Sequence, residues 1–240
     1  MDQAQLYQKI ESNASYNRGE AGDRLQVDGH DLSGMDLSDS CLRRAKMSDA
    51  KLSGCNFKNS DIRMAELSKS DLSGSDLTGA NMTFASLADA DLSGAIVDDA
   101  YIAGAGMEDV NLEGASLRRA SVSAARLHRA NMSRVEAEEA NIHESTLDCA
   151  DLSTANLTGA SIVSTSLRGS DLRNATLARA TLRCELQDAD LRGANAQDAD
   201  ARDSDRQACL RQLLHHRHPY RQGNACAPDS GRGIVIATSP

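Results

Sequence analysis

Ala90-Asp91-Leu92-Ser93-Gly94 is one unit of a motif that recurs every five residues through most of this 240-residue chain. Leu92 belongs to a register that runs from Leu32 to Leu182 without insertion or deletion, through Leu37, Leu42, Met47, Leu52, Phe57 and Ile62. Of its 31 positions, 30 carry Leu, Ile, Met, Val or Phe, and only Ala137 departs. Two residues earlier in each unit stands a small residue, as at Ala45, Ala50, Cys55, Ser60 and Ala80, with Val110, Val135 and Thr165 as the main exceptions. The unit reads small–polar–apolar–polar–polar, and a fixed short period of this kind marks a solenoid.

A period of five fits neither the 3.6 of a helix nor the 2 of an extended strand. It fits a chain that turns a corner in each unit, sends the small and the Leu-like residue inward, and leaves the other three in water. A longer period supports this. Asp31-Leu32-Ser33-Gly34 recurs at every fourth unit, as Lys51-Leu52-Ser53-Gly54, Asp71-Leu72-Ser73-Gly74, Asp91-Leu92-Ser93-Gly94 and Asn111-Leu112-Glu113-Gly114. Four units per coil give a four-sided all-β solenoid whose coils, stacked at about 4.8 Å, hydrogen-bond along the axis.

These residues resemble the pentapeptide-repeat family over about Val27 to Ala201, nearly three quarters of the chain. The resemblance implies a right-handed quadrilateral β-helix, here of about nine coils, with the central apolar residues as its core ladder. It also implies a function outside catalysis. The family includes topoisomerase-protecting DNA mimics, secreted bacterial effectors and many members of undefined role.

An open solenoid exposes apolar interior and unpaired strand edges at its ends, so caps are expected. The chain divides into an N-terminal cap or leader (1–24), the repeat β-helix (25–202), a C-terminal capping helix (203–218) and a flexible tail (219–240). Gln5-Leu6-Tyr7-Gln8-Lys9-Ile10 is the amphipathic stretch suited to the first cap. Near the other end the register slips by one, since Leu182 is followed by Leu186 and Leu191, and Ala196 and Ala201 continue the new phase. Ser204 and Gln207 then have capping-box spacing, with Leu210, Leu213 and Leu214 as an apolar face that either plugs the end or joins two protomers.

No stretch reaches the ~18–20 apolar residues that span a bilayer. The N-terminus lacks the features of a secretory signal peptide, so a cytoplasmic location is expected, with signal-less export of an effector as the alternative. The six cysteines, Cys41, Cys55, Cys149, Cys184, Cys209 and Cys226, fit no disulfide or metal framework and read as reduced thiols.

The register sorts outward residues by face. The face centred on Leu32, Leu52 and Leu72 carries Asp31, Lys51, Asp71, Asp91, Asn111, Asn131, Asp151 and Asp171 in one column. The next face, centred on Leu37 and Phe57, includes Asp36, Asp39, Asp76, Asp98, Asp99, Glu136, Glu138 and Glu139 against Lys58, Arg118, Arg119 and Arg179. Both are net acidic. Regularly spaced carboxylates such as Asp71, Asp91, Asp98 and Asp99 could imitate duplex phosphates and engage a type II topoisomerase. The competing reading is that Asp and Asn serve the turns and keep the surface soluble. Lys51, Arg118, Arg119 and Arg134 interrupt the acidic columns, which favours the latter. The net charge of −9 argues against direct nucleic-acid binding.

The third face, centred on Leu42, Ile62, Met82 and Ile102, differs in kind. Arg43, Arg44, Arg63 and Arg183 stand there against Asp61 and Glu144, beside outward Met64, Phe84, Tyr101, Ala103 and Ala124. Aromatics beside arginines are typical interface anchors. Arg44, Arg63, Met64, Phe84 and Tyr101 are the candidate partner-binding residues.

Catalytic chemistry is not indicated. The carboxylates have no distinctive neighbour or enclosed cleft. His215, His216 and His218 read as a solvated helix end rather than a metal site, and no cofactor is implied. The glycines Gly34, Gly54, Gly74, Gly94 and Gly114 stack at one corner and relax the turn. The sequence thus supports a non-enzymatic scaffold for a protein partner, which includes the secreted-effector case. The acidic topoisomerase ligand and a purely structural rod, self-associating as a homodimer through Leu210, Leu213 and Leu214, are the alternatives.

Overall fold

In the computed structural model, residues 2–201 are described, and they form one helix followed by a continuous stack of coils. Parallel bridges join residue i to residue i+20 in four ladders, for example Lys46–Glu66, Lys51–Asp71, Asn56–Asp76 and Asp61–Asn81. Four ladders with this offset define a four-sided solenoid. Each side is so short that most of it is a single bridge, and only the third side lengthens into strands. These are β1 (Ser121–Ser123), β2 (Asn141–His143), β3 (Ser161–Ser166) and β4 (Thr181–Glu185), paired in parallel in that order.

The corner explains the five-residue unit. In a typical unit the small residue's N–H donates to the preceding central carbonyl, as Ala45 N does to Leu42 O at 3.0 Å. The third residue of that turn has positive φ, 58° at Arg44 and 62° at Gly74, as a type II turn requires. The two residues between corners face inward, so Leu42, Ala45, Met47, Ala50 and Leu52 are all buried. Coil-to-coil bonds hold the stack: Leu52 N donates to Asp71 O at 2.7 Å and Asp71 N to Ala50 O at 3.0 Å. Phe57, fully buried, fills the interior on the second side.

On the third side the corner opens. After Val122 the turn bond is replaced, and Ala125 N donates instead to Ser145 Oγ at 3.1 Å. Ser145 Oγ donates onward to His143 O, and Thr165 Oγ1 donates to Ile142 O at 2.8 Å. Inward hydroxyls therefore satisfy the backbone groups that an open turn leaves behind. The exceptional Thr165 of the small-residue column has this use.

The register slip falls where the sequence places it. Leu186 and Leu191 are buried, and the bridge offset drops by one at Asp171–Asp190 and Thr176–Asn195. The lost residue comes out within β4, where Val163 pairs with Arg183 but Ser166 pairs with Glu185. An open groove of about 620 Å³ results, lined by Glu144, Ser164, Thr165, Arg183, Cys184 and Glu185 among others.

The helix α1 (Gln3–Arg18) covers the first coil. Asp2 caps it through a capping box with Gln5, and Gly19 ends it in the left-handed conformation. Leu6 and Ile10 are buried and join the core cluster. Its amides occupy the coil's free edge as a preceding coil would. Gln3 Nε2 donates to Asp36 O at 2.7 Å, while Asp36 N donates back to Gln3 Oε1 at 3.2 Å. Fully buried Asn13 donates to Cys41 O and Arg43 O and accepts from Leu25 N. Side-chain amides thus copy both halves of a strand edge. The anticipated C-terminal helix with Leu210, Leu213 and Leu214, the histidines after it and the tail lie outside the described residues. Among the described residues no helix is long and apolar enough to cross a membrane.

Two outcomes are expected. Asn13→Ala leaves buried backbone groups unsatisfied, costs the first coils about 3 kcal/mol, and is read as lost amide-exchange protection at Leu25 and Val27 with Leu112 unchanged. Burial raises the Cys55 thiol to about 11, so a thiol reagent at about pH 8 modifies exposed Cys149 and spares Cys55 in the native chain.

Candidate functional site

The stacking geometry sets the surface chemistry. Outward residues recur once per coil, and their side chains lean along the axis. At the corner positions this is direct: a Cβ built on Gly104 would lie 2.5 Å from the Phe84 ring, and one on Gly169 3.6 Å from Cys149 Sγ. The side chain at each such corner reaches the equivalent corner of the next coil.

In the acidic columns these carboxylates are engaged by their own turns or by the next coil. Asp71 Oδ1 accepts from Ser73 N at 3.0 Å and Ser73 Oγ at 2.6 Å, the Asx-turn pattern. Asp91 accepts from Ser93 N and from Asn111 Nδ2, and Asn131 continues the amide ladder to Asn111. Asp98 accepts from Ser116 Oγ and Arg118 N. Asp99 is held in a two-pronged pair by Arg119 at 2.8 and 2.6 Å, which keeps its carboxyl below the ordinary range. Cross-coil pairs recur nearby, as Arg118 with Glu136 and Glu138, Arg126 with Glu108, and Arg129 with Asp109. The four acidic candidates therefore share a regular spacing but not a free surface, and these arginines neutralise the region that face-by-face counting reads as acidic.

On the third side the candidates separate into two groups. Arg63 is committed to Asp61, with Nε and Nη2 at 2.7 and 2.5 Å. Burial pushes the Asp61 carboxyl up, but Arg63 and the more distant Arg43 outweigh it and hold it below its ordinary value. Arg44, one position round the corner, is exposed and has no ion-pair partner among the described residues. Met64 is 44% exposed, Phe84 63% and Tyr101 57%. Arg44, Met64, Phe84 and Gly104 form one corner column, since each lies one coil beyond the last, and Tyr101 stands on the adjoining side beside Ala103. The Phe84 ring lies across Gly104, whose φ of 64° and lack of a Cβ permit that approach.

The groove beside Arg183 and Cys184 escaped the reading of candidate sites, although the slip after Leu182 is its signal in the sequence. Among the described residues no set of His, Cys, Asp or Glu side chains is placed to hold a metal ion.

Gly104→Ala is expected to displace the Phe84 ring and cost about 1 kcal/mol, checked by chemical denaturation and by the change in ring contacts to residue 104. Asp190, bonded by the Arg192 side chain and backbone, is held down at about 2. A depressed carboxylate adds stability above the ordinary carboxylate range and loses it as pH falls through about 2. NMR titration is expected to give that midpoint, and Arg192→Gln to move it upward.

Solved structures similar to the chain include a trypsin-treated form of QnrB1, a plasmid-mediated fluoroquinolone resistance protein. It is 18% identical, covers 80% of this chain and 95% of that one, and has a TM-score of 0.53. A second is HetL, a pentapeptide repeat protein involved in heterocyst differentiation regulation from the cyanobacterium Nostoc sp. strain PCC 7120. It is 28% identical over 80% of this chain and 93% of that one, with a TM-score of 0.38. Rfr23 from the cyanobacterium Cyanothece 51142 is 21% identical over 56% of this chain and 89% of that one, with a TM-score of 0.17. A search of curated proteins returns no significant match. The family model described as pentapeptide repeats matches eight copies, over residues 28–59, 65–101, 98–134, 138–174 and 184–205. With four bridge ladders joining successive coils and a model match over most of its length, the chain belongs to the pentapeptide-repeat family and its right-handed quadrilateral β-helix.

Proposed function

We propose that this protein is a non-enzymatic scaffold that binds a protein partner through the corner and side carrying Arg44, Met64, Phe84 and Tyr101. One observation carries the reading. Of the six exposed large apolar or aromatic side chains among the described residues, three fall on this one side of neighbouring coils. Many outward residues elsewhere are engaged by turns and ion pairs, whereas here Arg44, unpaired among the described residues, adjoins aromatic surface, the composition of an interface anchor. Arg63 supports the patch by neutralising Asp61 beside it. On this reading the rod comprises about nine coils of four units each; the C-terminal cap expected at 203–218 lies outside the described residues. Action in the cytoplasm or as an exported effector is compatible with this surface.

A second reading makes Asp71, Asp91, Asp98 and Asp99 a phosphate mimic for a type II topoisomerase, drawing on the net charge of −9. It ranks behind the first because Asp99 already binds Arg119 and the other three serve turns and coil contacts. The self-associating rod built on Leu210, Leu213 and Leu214 ranks third.

The double variant Phe84→Asp/Tyr101→Asp is expected to keep the fold and lose a partner that the native protein retains in affinity capture. Unchanged capture would sink the reading. Native protein is expected to leave gyrase supercoiling unaltered at low and moderate salt; salt-sensitive inhibition, relieved by neutralising Asp71 and Asp91, would put the acidic reading first.

A further inference from the structure

The third-side corner column reads, coil by coil, Arg44, Met64, Phe84, Gly104, Ala124, Glu144. All six are at the turn position with positive φ, from 51° to 64°. Arg44 and Glu144 are exposed, and neither has an ion-pair partner among the described residues. The column runs on to Ser164, and its stretch from Arg44 to Glu144 opens on a cation and closes on a carboxylate, both unpaired among the described residues, with two large side chains, a glycine and an alanine between. Its second half is the complement of its first.

From this we infer that the surface binds a second copy of the chain, antiparallel, about a two-fold axis lying between Phe84 and Gly104. This rests on the reading of that side as a binding surface and names its occupant. The axis sets Arg44 against Glu144 of the second copy and Met64 against its Ala124, with the two Phe84 side chains nearest the axis. Each pairing occurs twice, as an isologous interface requires. The Phe84 ring already lies over Gly104 of its own chain, so the two rings meet at the axis, where aromatic stacking contributes most. On the flanking side the same axis sets Tyr101 opposite Asn81, again large against smaller.

The register is selective. Sliding one copy by a single coil takes Glu144 away from Arg44 and sets it against Met64 or leaves it beyond the contact. A parallel pair places Arg44 on Arg44 and Glu144 on Glu144, which like charges oppose. Only the antiparallel arrangement centred between Phe84 and Gly104 satisfies both ends. Five coil steps of about 4.8 Å separate those ends by about 24 Å. That strip is narrower than an interface of the standard ~800 Å² per partner, so the dimer is reversible and concentration-dependent.

The test is sedimentation velocity on the full purified chain over a concentration series at low salt. Native protein is expected to show a monomer–dimer equilibrium. Arg44→Glu and Glu144→Arg each weaken it roughly tenfold, because each change places like charges together at two symmetric points. The double swap Arg44→Glu/Glu144→Arg restores it, and Phe84→Asp abolishes it. All these positions are exposed corners that already accept Arg, Glu and Phe at positive φ, and circular dichroism verifies the fold. A native chain that stays monomeric overturns the inference, as does a double swap no stronger than its single variants. So does a dimer lost on Leu210→Asp but kept on Phe84→Asp. A monomer that still captures a different protein through Phe84 and Tyr101 overturns the self-pairing and leaves the scaffold reading standing. Loss of both removes both.

Discussion

Closure of the coil every four units is the constraint from which the rest of the molecule follows. Each residue must lie under its equivalent in the next coil for the backbone bonds between coils to form, as Leu72 N to Asp91 O at 2.7 Å. Four corners in each coil leave two inward positions per unit, and the narrow interior admits only one large side chain beside one small one. The same closure fixes a positive φ in nearly every unit. Asp, Asn and Gly suit that position, yet Phe84, Arg44 and Glu144 also occupy it. A left-handed residue costs about 1–2 kcal/mol, which the buried ladder on either side offsets. The corner is thereby freed to carry many chemistries.

Stacking also imposes a rule on charge. Outward groups repeat at the coil spacing, about 4.8 Å, so unbroken columns of one sign repel. The chain breaks them with cross-coil pairs such as Lys51–Asp31, Arg119–Asp99 and Arg129–Asp109. Single exposed pairs contribute little stability; their effect here is to make the stack tolerable and to hide most of the formal acidity. Asp and Asn at the start of each unit contribute differently, by accepting from the backbone of their own turn, as Asp76 does from Thr78.

The core was legible in the sequence because its cause is periodic: Leu32 to Leu182 are buried for the same reason that they recur. The slip after Leu182 was legible for the same reason. The function of the ends was not, since nothing in Gln3 or Asn13 as letters shows that their amides replace a missing coil. That role depends on where α1 crosses Asp36 and Cys41. Counting charges by face also fell short, because pairing runs between coils and between sides, and Arg63 belongs to Asp61 rather than to the patch. The candidates that kept their character, Met64, Phe84 and Tyr101, are those whose exposure follows from register alone.

A rod of identical coils has no site by default, and composition cannot make one, because every outward position is equivalent to its neighbours along the axis. Specificity must come from order along a column. An ordered column has direction, so a ligand bound along it must run with a matching order, either as a different molecule or as the same column reversed. Self-pairing is available only where chemistry at one end is the complement of chemistry at the other, at equal distances from a centre. The column from Arg44 to Glu144 meets that condition. In the columns through Asp71 and Asp99 these carboxylates are already engaged, Asp71 by its own turn and Asp99 by Arg119. On a solenoid, the groups left unanswered along one column are what a partner can read.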